Sequence, residues 1–211
     1  MRSARRLSAG CLAIFAVAMA FAAAVYPGGS WTEPDAVGFS WLRNYFCDLL
    51  RDPAINGGAN TWGSLAARLA FGALGIGLGP FWWVAGSLLG GVRRVLGSGF
   101  GIASAAGLIL TALLPSDRYP VLHGVVALGA GALGCAAAGL CLGARAKSEA
   151  VWSLRRITGL LALGLSLLHA ALHVRVAYLG GAESWAEALA QKFAAAALLA
   201  WMWATLRATP D

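Results

Sequence analysis

Residues 157–179 read ITGLLALGLSLLHAALHVRVAYL, and this stretch decides the fold. It contains no acidic residue and its only basic residue is Arg175. A helix of this length rises far enough to cross the roughly 30 Å hydrocarbon core of a bilayer. Its two histidines, His169 and His173, are four residues apart and therefore share one face. The stretch predicts a transmembrane helix that carries polar chemistry.

Five further apolar stretches are also long enough to span a bilayer. The sequence therefore predicts an all-α polytopic transmembrane bundle of six helices, near 8–26, 63–89, 96–115, 119–143, 157–179 and 187–207. Only 12% of the residues are charged, about half the share in soluble domains, and the mean hydropathy is +0.71. We expect a single domain over residues 1–211, in which the first apolar run is a retained helix and not a cleaved signal peptide.

The basic residues predict the orientation of the bundle. Lys and Arg cluster near both termini, between the second and third predicted helices and between the fourth and fifth, whereas most acids lie on the other side. The positive-inside rule then places both termini in the cytoplasm and the long loop between helices one and two outside. This rule also accounts for the net charge of +7, so we expect membrane lipids and no nucleic acid as partners.

The longest connection, residues 27–62, is rich in aromatic side chains. Such rings favour the headgroup level of a bilayer, and we predict a short interfacial helix over residues 39–50. A loop of this length is usually functional or disordered, and its aromatic content argues against disorder. Two interpretations stay open, a cap that rests on the membrane and a lid over a site.

The three histidines all fall within predicted helices: His123, His169 and His173. A rise of about 1.5 Å per residue puts them in the same outer half of the membrane. Three imidazoles could hold a catalytic zinc and leave its fourth position for water. Such water ionises near neutral pH and can attack a carbonyl or phosphoryl centre. Haem ligation and a metal-free polar network are the alternatives.

Other ionisable residues are expected at the same depth. Asp48 and Asp117 could serve as a metal ligand or general base, or could orient a histidine. Arg68 and Lys192 could bind an anionic lipid headgroup or stabilise an oxyanion. Purely structural roles are also possible, such as a helix cap for Asp117 and an ion pair for Arg68.

The outer loop contains four short motifs: YPGG at 26–29, GFS at 38–40, NYFCDLL at 44–50 and NGGAN at 56–60. They resemble an uncharacterised bacterial six-helix membrane family, loosely similar to the damage-regulated autophagy modulator family, with a PGG turn and an NxxSDLG-like motif. Cys47 stands in place of the serine and Leu50 in place of the glycine. The resemblance implies the bacterial inner membrane and site roles for Asn44, Asp48 and Asn60, but no activity.

Asp117, His123 and the later pair His169 and His173 resemble the site of the alkaline ceramidase and adiponectin receptor superfamily. Those proteins are seven-helix zinc amidohydrolases of lipids. The resemblance implies that the three histidines hold zinc and that Asp117 acts beside it. This chain departs from the pattern because it has six predicted helices and because Asp117 precedes His123.

The sequence therefore predicts an integral-membrane, zinc-dependent hydrolase of a lipid or lipid-linked substrate. In this hypothesis the metal ligands are His123, His169 and His173, the catalytic acids are Asp48 and Asp117, and the substrate-binding residues are Arg68, Lys192, Asn44 and Asn60. The alternatives are a non-enzymatic lipid-binding or scaffold protein of the membrane and a haem-binding electron-transfer protein.

Overall fold

The computed structural model describes residues 2–143 and 149–208, and over those ranges the fold is all-α. Its long helices are α1 (Arg2–Val25), α2 (Thr61–Gly86), α3 (Gly91–Leu113), α4 (Pro120–Leu142), α5 (Glu149–Leu179) and α6 (Trp185–Ala208). A short 3₁₀ helix, Phe46–Leu50, lies between α1 and α2. The predicted bundle of six helices is confirmed.

Consecutive helices run antiparallel, so the connections fall at two ends of the bundle. Ser8, early in α1, donates a hydrogen bond to the Gly77 carbonyl in the second half of α2 at 2.8 Å. Gly97, early in α3, lies beside Cys141 at the end of α4. We call the end that carries segments 26–60, 114–119 and 180–184 the loop end, and the opposite end the terminal end. Which end faces the cytoplasm stays a prediction.

The helix α2 is the centre of the bundle. Of its most apolar 18-residue window 67% is buried, against 11% for α5. Phe81 and Trp82 of α2 pack edge-on against Trp201 of α6, with ring centroids 5.4 and 5.5 Å apart. This aromatic group joins the first half of the chain to the last helix.

The outward faces of the helices are apolar. Val17 is 71% exposed and Val121 is 76% exposed, positions that would be unfavourable in water but suit lipid tails. All six long helices have the length and composition to cross a membrane. The chain is therefore a multi-pass integral membrane protein.

The observed helices extend beyond several of the predicted spans, and the longest extensions are at the terminal end. We predicted starts near residues 8, 96 and 157, but α1, α3 and α5 begin at Arg2, Gly91 and Glu149. The prediction followed apolar runs, whereas the helical backbone continues through the flanking arginines. Their long side chains can bury their stems and still place the charge at the membrane surface.

The long loop is held by its own backbone. Gly28 forms an isolated antiparallel bridge with Val37, and the Gly29 amide donates to the Ala36 carbonyl at 2.7 Å. Gly29 has φ +84° and lies against the backbone of Asn56, so a side chain there would be strained and would collide. The YPGG motif thus has a structural explanation. The interfacial helix predicted over 39–50 is shorter, since only Phe46–Leu50 is helical.

Candidate functional site

The second half of the loop is fastened to α6. The Phe46 amide donates to Gln191 Oε1 at 2.6 Å. Lys192 Nζ donates to the Asn44 carbonyl and, at 3.1 Å, to the Ala188 carbonyl. Two neighbouring side chains of α6 therefore hold the first residue of the 3₁₀ helix and a residue just before it.

Asp48 and Asn44 form a buried hydrogen-bond network inside the loop. Asp48 Oδ2 accepts from Asn44 Nδ2 at 3.0 Å and from the Tyr45 amide at 2.8 Å, and Oδ1 accepts from Trp31 Nε1 at 3.1 Å. Asn44 Nδ2 also donates to the Gly29 carbonyl. Burial raises the pKa of the Asp48 carboxyl to about 6, although these hydrogen bonds act in the opposite direction. Both predicted site residues thus order the loop.

Lys192 lies between the loop and an apolar groove. Its ammonium is 5.6 Å from the ring centroids of both Phe39 and Phe46, a favourable cation–π distance. Asp48 is within electrostatic reach, but no salt bridge to Lys192 forms among the described residues. The groove encloses about 330 Å³ between α1, α6 and the loop, and Lys192 is its one charged lining residue; the others include Phe15, Trp41, Phe46, Phe193 and Leu199.

A buried carboxylate–imidazole pair joins α5 to α6. His173 Nδ1 lies 2.7 Å from Glu187 Oε1, and Glu187 is only 1% exposed. The Tyr45 phenol of the loop faces the same carboxylate, and burial together with Glu187 raises its pKa. Burial and the nearby Glu187 also raise the pKa of Glu183 in the connection between these helices. A neutral or hydrogen-bonded state of these groups limits the cost of placing them in a membrane.

His169 is one turn deeper than His173 on the same helix. The two ring centroids are 6.2 Å apart. His169 Nδ1 and Glu187 Oε2 are both buried and have no hydrogen-bond partner in the part of the chain that the structure describes. Two free polar atoms therefore remain next to the Glu187–His173 pair.

His123 and Asp117 form a separate group near the start of α4. His123 is buried and its Nδ1 lies 2.6 Å from the Leu114 carbonyl. Asp117 is within electrostatic reach of His123, and its only ion pair in the described ranges is a long one of 3.9 Å to Arg118. His173 of α5 also lies within electrostatic reach of His123. Helices α4 and α5 thus lie close together at this end, but His123 is engaged with the backbone.

Asn60 and Arg68 lie at the start of α2, where they close the loop. Asn60 Nδ2 donates to the carbonyls of Leu49 and Arg51 at 3.1 and 2.8 Å. Arg68 Nε donates to Ser64 Oγ at 3.3 Å, and this hydroxyl donates to the Leu50 carbonyl. In the described ranges no hydrogen bond or ion pair joins either residue to a histidine, and their role in binding a substrate stays a prediction.

The described residues do not assemble the predicted zinc centre. Over 2–143 and 149–208, no group of three or more His, Cys, Asp or Glu side chains lies in an arrangement that could hold a metal ion. His123 Nδ1 is directed to a carbonyl and His173 Nδ1 to a carboxylate. These two ring nitrogens are thus engaged with other groups, and zinc binding by the three histidines stays a prediction.

Glu187, Tyr45 and Gln191 are site residues that the sequence analysis did not select. Glu187 and Gln191 are four residues apart and so share a face of α6. The short connection 180–184 makes α5 and α6 an antiparallel hairpin, which brings the first turns of α6 opposite the last turns of α5. Pairing an intramembrane acid with His173 across that hairpin would have found Glu187.

The chain matches no protein-family model, no curated protein and no solved structure. The proposed function therefore rests on the geometry of the loop end.

Proposed function

We propose that this chain is a non-catalytic membrane protein that binds an anionic phospholipid at its loop end. The observation that carries the proposal is the position of Lys192 at an apolar groove that is open toward lipid. An acyl chain is the natural occupant of an apolar groove within a bilayer, and an ammonium beside it matches the charge of a phosphate group.

The chemistry of Lys192 favours an anion. An ammonium has three N–H donors, and Lys192 uses two of them on backbone carbonyls. The remaining donor has no protein acceptor among the described residues. The rings of Phe39 and Phe46 lower the cost of burying the charge but cannot neutralise it.

The aromatic residues of the loop set the depth of the proposed site. Trp41 and Phe46 line the groove, and Trp41 is 57% exposed. Aromatic rings of this kind favour the headgroup region, so a lipid phosphate at that level would lie near Lys192. The loop then acts as a fixed cap over the lipid headgroup.

Titration with defined lipids tests the proposal. Native mass spectrometry of the delipidated protein in neutral detergent would measure binding of phosphatidylglycerol and phosphatidylcholine. We expect Lys192→Gln to weaken phosphatidylglycerol binding about tenfold and to leave phosphatidylcholine binding nearly unchanged, while Lys192→Arg keeps the preference. Ala196→Phe, which fills the groove, should weaken both lipids.

The matched control is Arg118→Gln, which removes an exposed charge at the same end. It should bind both lipids as the wild type does. Equal phosphatidylglycerol affinity for the wild type and Lys192→Gln, with helicity preserved, would refute the proposal.

Hydrolysis is a second candidate, and the observation that favours it is the Glu187–His173 pair at 2.7 Å. A carboxylate that accepts from Nδ1 leaves Nε2 free to take a proton from water as its oxygen attacks an ester carbonyl. The imidazolium would then return that proton to the leaving alkoxide. Release of fatty acid from a fluorogenic phospholipid ester, lost in His173→Gln but not in Glu33→Ala, would support this candidate. A wild type without turnover would argue against it.

The zinc and haem hypotheses stay predictions with simple tests. Stoichiometric zinc in the purified protein, lost in His169→Ala, would support a zinc hydrolase. A Soret band would support haem ligation, and a colourless preparation would exclude it.

A further inference from the structure

Arg155 is a buried charge without a protein partner. It lies in the first turns of α5 at the terminal end and is only 1% exposed. Its Nε and both Nη atoms are buried and make no hydrogen bond with any part of the chain that the structure describes. A guanidinium stays protonated in proteins, and an uncompensated buried charge is strongly unfavourable.

The surroundings of Arg155 contain donors and no described acid. Trp152, one turn earlier in α5, has a buried Nε1 that also lacks an acceptor. Arg93 and Arg155 both lie within electrostatic reach of the Cys141 thiol. Glu149 begins α5 at the terminal end, six residues before Arg155, whereas seven acids lie at the loop end: Glu33, Asp35, Asp48, Asp52, Asp117, Glu183 and Glu187.

A cavity lies beside Trp152, three residues from Arg155. It encloses about 420 Å³ at the junction of α4 and α5, and Trp152 and Arg156 line it together with Leu142, Gly143 and Leu160. The Arg156 guanidinium stacks 5.0 Å from the Trp152 ring centroid, and Arg93 Nη2 donates to the Leu140 carbonyl at 3.0 Å. The cavity thus has apolar lining residues and one basic lining residue, Arg156, and Arg93 lies next to Gly143 of its wall.

We propose that this cluster, Arg93, Trp152, Arg155 and Arg156, binds a phosphate group. Arg155 is the main ligand because a guanidinium matches phosphate oxygens in pairs. The Trp152 indole N–H is the second donor, and the apolar wall accommodates the start of an acyl chain. The phosphate belongs to an anionic phospholipid of the leaflet at the terminal end, or to free phosphate in solution. This site is distinct from the groove at Lys192.

The proposal predicts that Arg155→Met is more stable than the wild type without an anion and less stable than the wild type with one. Without added anion, Arg155→Met should raise the Tm of the delipidated protein, since it removes an unpaired charge and keeps the volume. With phosphatidylglycerol the wild type should gain about 3 °C or more, and Arg155→Met should gain nothing. Both proteins are compared in the Lys192→Gln background, so that lipid at the groove does not contribute.

Two further measurements identify the source of the phosphate and test the site without relying on the folding of Arg155→Met. A shift with phosphatidylglycerol alone assigns a lipid headgroup, and the same shift with sodium phosphate at matched ionic strength assigns free phosphate. Trp152→Phe, which keeps the ring but removes the N–H, should raise the half-saturating concentration about threefold. The control is Arg94→Gln, which removes an exposed charge stacked on Trp83 at the same end and should change nothing.

Two results would overturn the proposal. One is the absence of any shift in the wild type with either anion. The other is a shift of equal size in Arg155→Met. If Arg155→Met does not fold, an unaltered affinity in Trp152→Phe together with no displacement of lipid by phosphate would lead to the same rejection.

Discussion

The two ends of the bundle handle their charges in opposite ways. At the loop end Asp48 accepts three hydrogen bonds, Glu187 pairs with His173 and Lys192 donates to two carbonyls. At the terminal end Arg155 is buried with no partner in the described ranges. The loop end therefore pairs most of its charged groups within the chain, and Lys192 keeps one donor for a ligand. The terminal end is complete only when an anion is supplied from outside.

This difference ranks the effects of mutation, and the Glu187–His173 pair should give the largest. Glu187→Ala removes the buried carboxylate that pairs with the half-buried His173, and should cost about 2–3 kcal/mol in the free energy of unfolding. Equilibrium unfolding in mixed micelles would measure this cost. A loss below about 0.5 kcal/mol would mean that the loop end does not depend on the pair.

Asp48 should give the next largest effect. Asp48→Asn replaces one carboxylate oxygen by an amide nitrogen that cannot accept, and should cost about 1–3 kcal/mol. The Trp31 signal is the difference in fluorescence between proteins with Trp31 and with Trp31→Phe. A larger loss of stability by this signal than by helicity would locate the damage in the loop. Unaltered loop docking in Asp48→Asn would contradict the network described above.

Asp48 also predicts a pH dependence of defined sign. Its pKa rises from the ordinary 3.8 to about 6 because it is buried, so the docked loop holds the proton more tightly than the undocked loop. The stability of docking should therefore fall as the pH rises from about 4 through 6, and level off above that. Trp31 fluorescence across this range would show the decline, and Asp48→Asn should flatten it.

Gln191 should have a smaller effect, visible in the chemistry of Cys47. Burial raises the pKa of the Cys47 thiol to about 12, so it should react slowly while the loop is docked. Gln191→Ala removes the acceptor of the Phe46 amide, which costs about 1 kcal/mol and should speed maleimide labelling of Cys47 about fivefold. Mass spectrometry of the peptide would report the rate, with Cys11 in α1 as the internal reference.

An exposed ion pair of the same loop should give almost no effect. Arg43 and Glu33 are 2.8 Å apart, but their side chains are 43% and 47% exposed. Such pairs contribute little, so Glu33→Ala should change stability by less than about 0.5 kcal/mol. A larger loss would show that surface charge, and not the buried network, holds the loop.

The fold could be predicted from the sequence because lipid imposes a simple rule. Each span had to be apolar over roughly 20 residues, and 157–179 satisfied this without ambiguity. The helix starts at Arg2 and Glu149 were missed because the helical backbone continues through charged residues that lie beyond the apolar run. The site was harder, since spacing placed His169 and His173 on one face but could not show their direction. The pair could be recognised only once the structure placed Glu187 opposite His173.

The number of phosphatidylglycerol molecules bound per protein tests the comparison between the two ends most directly. Native mass spectrometry would count them in the wild type, Lys192→Gln, Arg155→Met and the double variant. We predict that each single variant loses one tightly bound lipid and that the double variant loses two, with the Arg118→Gln and Arg94→Gln controls unchanged. The same number in all four proteins would contradict the lipid site at Lys192 and a lipid as the ligand of Arg155.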